Sequence, residues 1–171
     1  MRVLSPTLLA TALLAIGAGT AQPAQAVEIT KNMFVDPGSA CQLSIPTIDT
    51  KVRPKATGYR NEGATNAFVI CGATFFEDVG FDVDSLTFRL TAFDGATHDN
   101  VSCTAVNRSS AGVNAVYSTK LTSVGPSGAT INWLPADLGG FDGFATSVTC
   151  NLPPGVMVTG LLEAIDADVG A

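Results

Sequence analysis

Between positions 82 and 106 the chain reads DVDSLTFRLTAFDGATHDNVSCTAV, and its apolar residues recur at every second place. Leu86, Phe88, Leu90 and Ala92 alternate with Thr87, Arg89, Thr91 and Phe93; after Asp94-Gly95, Val101, Cys103 and Ala105 resume the period. A period of two belongs to a half-buried strand, because successive side chains of an extended chain point to opposite faces. Asp-Gly readily takes the positive φ angles of a two-residue turn. Pairing Phe93 with Ala96 across that turn sets Val101 against Phe88 and Cys103 against Leu86, with both apolar rows on one face. The stretch is therefore expected to form a hairpin at the centre of an antiparallel sandwich.

The rest of the chain repeats the pattern of short apolar runs and turn residues. Strands are expected over residues 27–35, 40–45, 66–75, 113–124, 129–134, 147–152 and 156–165, with a short edge strand at 56–61. Asp36-Pro37-Gly38, Glu62-Gly63, Gly125-Pro126-Ser127-Gly128 and Pro153-Pro154-Gly155 interrupt them, and residues 47–55, which contain Pro54, read as a loop. Outside the first 26 residues no stretch of ten shows helical periodicity with caps. Eight or nine strands at this spacing predict an all-β fold, an antiparallel β-sandwich of jelly-roll or immunoglobulin-like type.

Residues 1–26 have the form of a cleavable signal peptide. Arg2 supplies the positive start, residues 8–16 a short apolar run, and Ala24-Gln25-Ala26 a small-residue cleavage site. The run is too short to cross a bilayer core of ~30 Å. The expected product is a single β-sandwich domain over residues 27–171, secreted or periplasmic, in a chain whose leader looks bacterial.

All four cysteines, Cys41, Cys71, Cys103 and Cys150, lie in the exported part. An even number in an oxidising compartment predicts two disulfides, and of the three pairings Cys41–Cys71 with Cys103–Cys150 joins segments expected to be neighbours. No CxxC spacing supports zinc.

Cleavage removes Arg2 and no acid, which leaves 8 basic against 15 acidic residues and a formal charge of −7. An acidic surface repels nucleic acid and anionic membranes, so neither is an expected partner. Lys51, Arg53, Lys55 and Arg60 form a local basic patch, read as a solvated face. Acidic turns gather Glu77, Asp78, Asp82 and Asp84 at one end of the expected hairpin, and Asp94 and Asp99 at the other. No cofactor is expected; a structural calcium on the Asp82/Asp84 end is the one ion these turns could hold. Two glycosylation sequons, at Asn100 and Asn107, read as chance in an exported bacterial chain.

Catalytic motifs are absent: no nucleophile elbow, HExxH, P-loop or dinucleotide fingerprint occurs. The single histidine, His98, is four residues from Ser102, ~13 Å apart on one strand and beyond hydrogen-bond reach. No enzymatic activity is expected.

In architecture the exported part resembles small sandwich proteins with two disulfides, among them fimbrial subunits and carbohydrate-binding modules. Its end, Val169-Gly170-Ala171, departs from the penultimate aromatic residue of chaperone–usher fimbrial subunits. Sugar modules use rows of aromatic residues, and Tyr59, Tyr117 and Trp133 are the candidates here. The expected function is a non-catalytic structural or surface-binding role, as a monomer, toward a glycan or protein surface. A carbohydrate-binding module, calcium-assisted, is the alternative, and an unrecognised hydrolase the third reading.

Overall fold

The computed structural model describes residues 28–45, 51–74, 81–108, 114–140 and 145–168. The expected leader, the acidic turn with Glu77 and Asp78, and the last three residues lie outside them. Eleven strands run in order: β1 (Glu28–Val35), β2 (Cys41–Leu43), β3 (Val52–Lys55), β4 (Gly58–Asn61), β5 (Ala67–Thr74), β6 (Phe81–Ala92), β7 (His98–Arg108), β8 (Val116–Val124), β9 (Ala129–Trp133), β10 (Ala145–Leu152) and β11 (Val156–Asp168). One sheet has the order β3-β4-β11-β6-β9, with β1 also paired to β11, and the other β2-β5-β10-β7-β8. Among the described residues every strand pairing is antiparallel.

Within this sandwich β4-β11-β6-β9 faces β5-β10-β7-β8, and the chain crosses between sheets at nearly every connection. That is jelly-roll wiring, one of the two expected types. Only β7 and β8 are consecutive, adjacent partners in that eight-strand set.

The expected hairpin of residues 82–106 is therefore corrected. Both strands exist, but β6 lies in one sheet and β7 in the other. Phe88 is opposite Leu161 and Ile131, and Leu86 opposite Glu163 and Trp133. Val101 is instead opposite Thr122, and Cys103 opposite Cys150 and Lys120. Asp94-Gly95 still turns the chain, with Gly95 at φ 80°. Beside it, the Phe93 amide donates to the Gly155 carbonyl at 3.0 Å and the Ala92 amide to Gly125 at 3.1 Å. With β11 and β9 on its two sides, β6 has no free edge for β7. A period of two fixes which face is buried; it leaves open whether a second apolar row lies beside it or across the core.

Further differences lie near the N-terminus. Residues 52–55, expected in a loop, form edge strand β3, where Pro54 sits on the outermost strand that tolerates it. Consequently β4 is an inner strand between β3 and β11. A Cβ on Gly58 would stand 2.0 Å from the Val158 carbonyl, so only glycine lets the two strands approach. Asp36-Pro37-Gly38 opens a single helical turn, α1 (Pro37–Ala40), in which the Asp36 carboxylate accepts from the Gly38 amide at 3.0 Å.

Both disulfides have the expected pairing, Cys41–Cys71 and Cys103–Cys150. Each joins directly opposed residues of adjacent strands in the five-stranded sheet, β2 to β5 and β7 to β10. Their side chains point into the core with Val69, Val101, Val148 and Leu152, against Leu86, Phe88, Leu90 and Trp133 from the other sheet. Fully burying such a side chain contributes about 1.5–3 kcal/mol. No described helix is long and apolar enough to cross a membrane, and the disulfides fit an oxidising, extracellular or periplasmic setting.

Candidate functional site

The outer face of the five-stranded sheet is the most distinctive surface of the molecule. Most of its buried inward residues are apolar or cystine, Asn107 and Thr146 being the polar exceptions, and the alternation of each strand sends the intervening residues out to solvent. The register aligns three cross-strand rows. Gln42 is opposite Ile70, Ile70 opposite Thr149, Thr149 opposite Thr104, and Thr104 opposite Thr119. Gly72, Ser147, Val106 and Tyr117 make a parallel row. Phe68 opposite Asn151, and Ser102 opposite Leu121, define the third.

No residue in these rows is charged at neutral pH, on a chain whose formal charge is −6. Hydroxyl groups occupy the middle, where the Thr104 and Thr119 hydroxyls lie 2.8 Å apart. Large apolar side chains stand at the margins: Phe68 is 54%, Leu121 63% and Tyr117 67% exposed. Neighbouring strands are ~4.8 Å apart, so five of them present a face ~20 Å across.

Exposed Arg108, two residues beyond Val106 on the same side of β7, borders the face, and several of the other charges are paired. Lys55 pairs with Glu62 at 2.6 Å, and the Arg60 guanidinium lies 5.3 Å from the centre of the Phe93 ring. Lys120 pairs with Asp137 at 2.7 Å. The Lys120 hydrogen bond, then the Leu134 amide, hold the Asp137 carboxyl below its usual range. In the turn after β6, Asp94 accepts from the Ala96 amide at 3.0 Å and meets His98 at 2.9 Å; these contacts, the amide first, lower its pKa. His98 thus locks a turn, with Asp94 as its partner. The other turn acid, Asp99, accepts from Ser123 at 2.6 Å.

A polar group is also buried between the sheets, and nothing in the sequence pattern announced it. Glu163 on β11 is 1% exposed and accepts from Thr146 of β10 at 2.8 Å. Burial pushes the Glu163 carboxyl up to about 7, with the Thr146 hydrogen bond opposing. Asn107 of β7 stands directly opposite Thr146 and is also buried.

The residues singled out in the sequence are dispersed. Trp133 is fully buried, its indole donating to the Ser118 carbonyl at 3.1 Å, and Tyr59 is buried beside β11. Only Tyr117 is exposed, so Tyr59, Tyr117 and Trp133 form no common platform. The sequence signal for this was present: Trp133 shares strand parity with Ile131, which also points inward. Of the two sequon asparagines, Asn107 is buried and Asn100 exposed. Asp82 lies opposite Asp166 on β11, and Asp84 is exposed at a bulge in β6. Glu77 and Asp78 are outside the described residues. Among the described residues, no three His, Cys, Asp or Glu side chains gather to hold a metal.

No protein-family model and no curated protein sequence matches the chain. Among solved structures, it is similar to the enzymatically active domain of tailspike protein 4 of bacteriophage CBA120, at 11% identity and TM-score 0.37. That match covers 82% of this chain and 19% of the tailspike. It is also similar to a Podospora anserina GH26-CBM35 β-(1,4)-mannanase, at 9% identity and TM-score 0.32, over 81% of this chain and 28% of that one. The chain thus spans less than a third of either protein, and likenesses this weak carry no functional argument.

Proposed function

We propose that the protein is a secreted, non-catalytic binding module, and that its working surface is the outer face of the five-stranded sheet. The partner that fits this face is an uncharged, hydroxyl-rich polymer, a neutral polysaccharide. One observation carries the reading: cross-strand rows with no residue charged at neutral pH, on an acidic protein, with Phe68, Tyr117 and Leu121 exposed at their ends. Aromatic and aliphatic margins cover the apolar faces of sugar rings, while central Thr, Ser and Asn groups exchange hydrogen bonds with hydroxyls. The absence of charge costs nothing in desolvation against a neutral ligand, whereas burying an unpaired ion would. The strand spacing of ~4.8 Å is also close to the length of one pyranose unit, so a chain lying across the strands meets similar chemistry at each.

The pairing of β1, in the other sheet, favours a free module over a fibre subunit. The β1 strand, the natural candidate for donation to a neighbour, is paired with its own β11 over eight consecutive positions. This supports a monomer. The test is co-sedimentation of the mature protein with insoluble cellulose, chitin and starch, and with an anionic polysaccharide as control. Depletion from solution by at least one neutral polymer is expected. Depletion by the anionic polymer alone, or by none, would overturn the proposal.

A further inference from the structure

The buried group between the sheets stands apart from the binding face and carries its own chemistry. Thr146 Oγ1 donates to Glu163 Oε1 at 2.8 Å, a bond that crosses from β10 in one sheet to β11 in the other. Asn107, opposite Thr146, donates from Nδ2 to the carbonyls of Leu138 at 3.2 Å and Gly140 at 2.6 Å. Those two bonds decide which end of the amide is nitrogen, and they leave Oδ1 as an acceptor. Asn107 Oδ1 and Glu163 Oε2 are both buried and both without a hydrogen-bond partner.

Two acceptors cannot satisfy each other. An ionised carboxylate only accepts, and so does an amide oxygen. A carboxylic acid, by contrast, has one O–H to donate. The side chains concerned share Thr146 as a neighbour, one through a hydrogen bond and the other through the strand register.

We infer that Glu163 is held as the neutral acid and that its proton is the missing donor to Asn107, closing a latch between the two sheets. In the closed latch Glu163 accepts from Thr146 and donates to Asn107. Asn107 in turn holds residues 138 and 140, so one proton ties β11 to β7, β10 and the segment that follows β9. Loss of the proton removes the donor and leaves a charge between the sheets, and the latch opens as pH rises.

The surroundings favour the neutral form. Glu163 is opposite Met33 on β1 and Leu86 on β6, with Leu161 and Ile165 on its own side of β11. Lys31 shares the inward side of β1 but is exposed. Asp84 on β6 and Arg108 on β7 are exposed too, and the described part of β10 and residues 138–140 carry no ionisable group. Burial pushes the carboxyl to about 7, in agreement with the hydrogen-bond count.

The direct test is carboxyl-carbon NMR of the full mature protein. The chain has four glutamates, and Glu163→Gln assigns the resonance of interest by deleting it. One resonance should titrate with a midpoint near neutral, two or more pH units above the ordinary range of ~4.3. Should Glu163→Gln not fold, Thr146→Val assigns the same resonance by shifting it. The glutamine amide donates at every pH, so the melting temperature of Glu163→Gln should stay flat from about pH 6 to about pH 8 while the wild type falls. A Glu163 midpoint below about 5, or parallel melting profiles for the two proteins, would overturn the latch. A midpoint that moves when EDTA is added would assign the two acceptors to a cation and overturn it as well.

Discussion

The Trp133 indole on β9 donates to the main-chain carbonyl of Ser118 on β8, 3.1 Å across the seam between the two sheets. Lys120 of β8 answers in the opposite direction, donating to the Asn132 carbonyl of β9 at 2.7 Å. These are the outermost strands of their sheets on this side. An open edge offers unpaired backbone groups to any passing strand, and each of these bonds occupies one such carbonyl. Trp133→Phe leaves the Ser118 carbonyl without its donor and removes core volume, at a cost of about 2 kcal/mol in urea unfolding. Lys120→Met, at a more exposed bond, should cost less than ~1 kcal/mol. Equal losses would contradict the difference in burial.

Stability should depend on pH in a direction unusual for a carboxylate. Glu163 binds its proton more tightly folded, at about 7, than unfolded, at its ordinary value of 4.5. Its contribution is complete below pH 4.5, is lost as pH rises through about 7, and is flat above. The difference corresponds to about 3 kcal/mol, readable in denaturant melts from about pH 5 to about pH 8.5. Asp94 and Asp137, whose pKa values are lowered, act oppositely and only at more acid pH. Stability that climbs between pH 5 and 8 would contradict this sign.

Each disulfide closes a loop of 30 or 47 residues. Chain entropy assigns them about 3.6 and about 4 kcal/mol. Replacing either pair with alanines should therefore lower the urea midpoint by similar amounts, with the Cys103–Cys150 pair slightly ahead. Loss of less than ~1 kcal/mol for both would mean that the register of the five-stranded sheet holds without them.

Removing β1 should expose the stretch of β11 that it now pairs. Its partner residues on β11, from Leu161 to Asp168, would present a bare edge beyond β4. The truncated protein is expected to self-associate on size exclusion, and a peptide of residues 27–36 to restore the monomer. A truncated protein that stays monomeric and ignores the peptide would show that β1 adds no essential pairing.

Much of this fold is legible in the chain because alternation reports burial directly. Leu86, Phe88 and Leu90, and Val101, Cys103 and Ala105, are buried as their period requires, and the disulfide pairing follows from expected strand neighbours. Strand partners are less accessible. The Asp94-Gly95 turn looks the same whether the chain folds back in one sheet or crosses to the other. Glu163 is hidden for a related reason: Leu161, Leu162, Ala164 and Ile165 make both sides of β11 apolar, so no period marks the glutamate as inward. The uncharged face was in view as Ser102, Thr104 and Val106, and as Tyr117, Thr119 and Leu121. It becomes a surface only when β7, β8 and β10 are known to be neighbours.

The binding face is tested most directly by salt and by its own margins. Affinity for the neutral polysaccharide that retains the protein should be the same at about 0.05 M and about 0.5 M NaCl, because the cross-strand rows hold no charged residue and the ligand none. A Phe68→Ala, Tyr117→Ala, Leu121→Ala triple variant, exposed at all three sites, should keep its melting temperature and lose binding at least tenfold. Retained affinity in the folded triple variant, or binding that collapses with salt, would contradict the account.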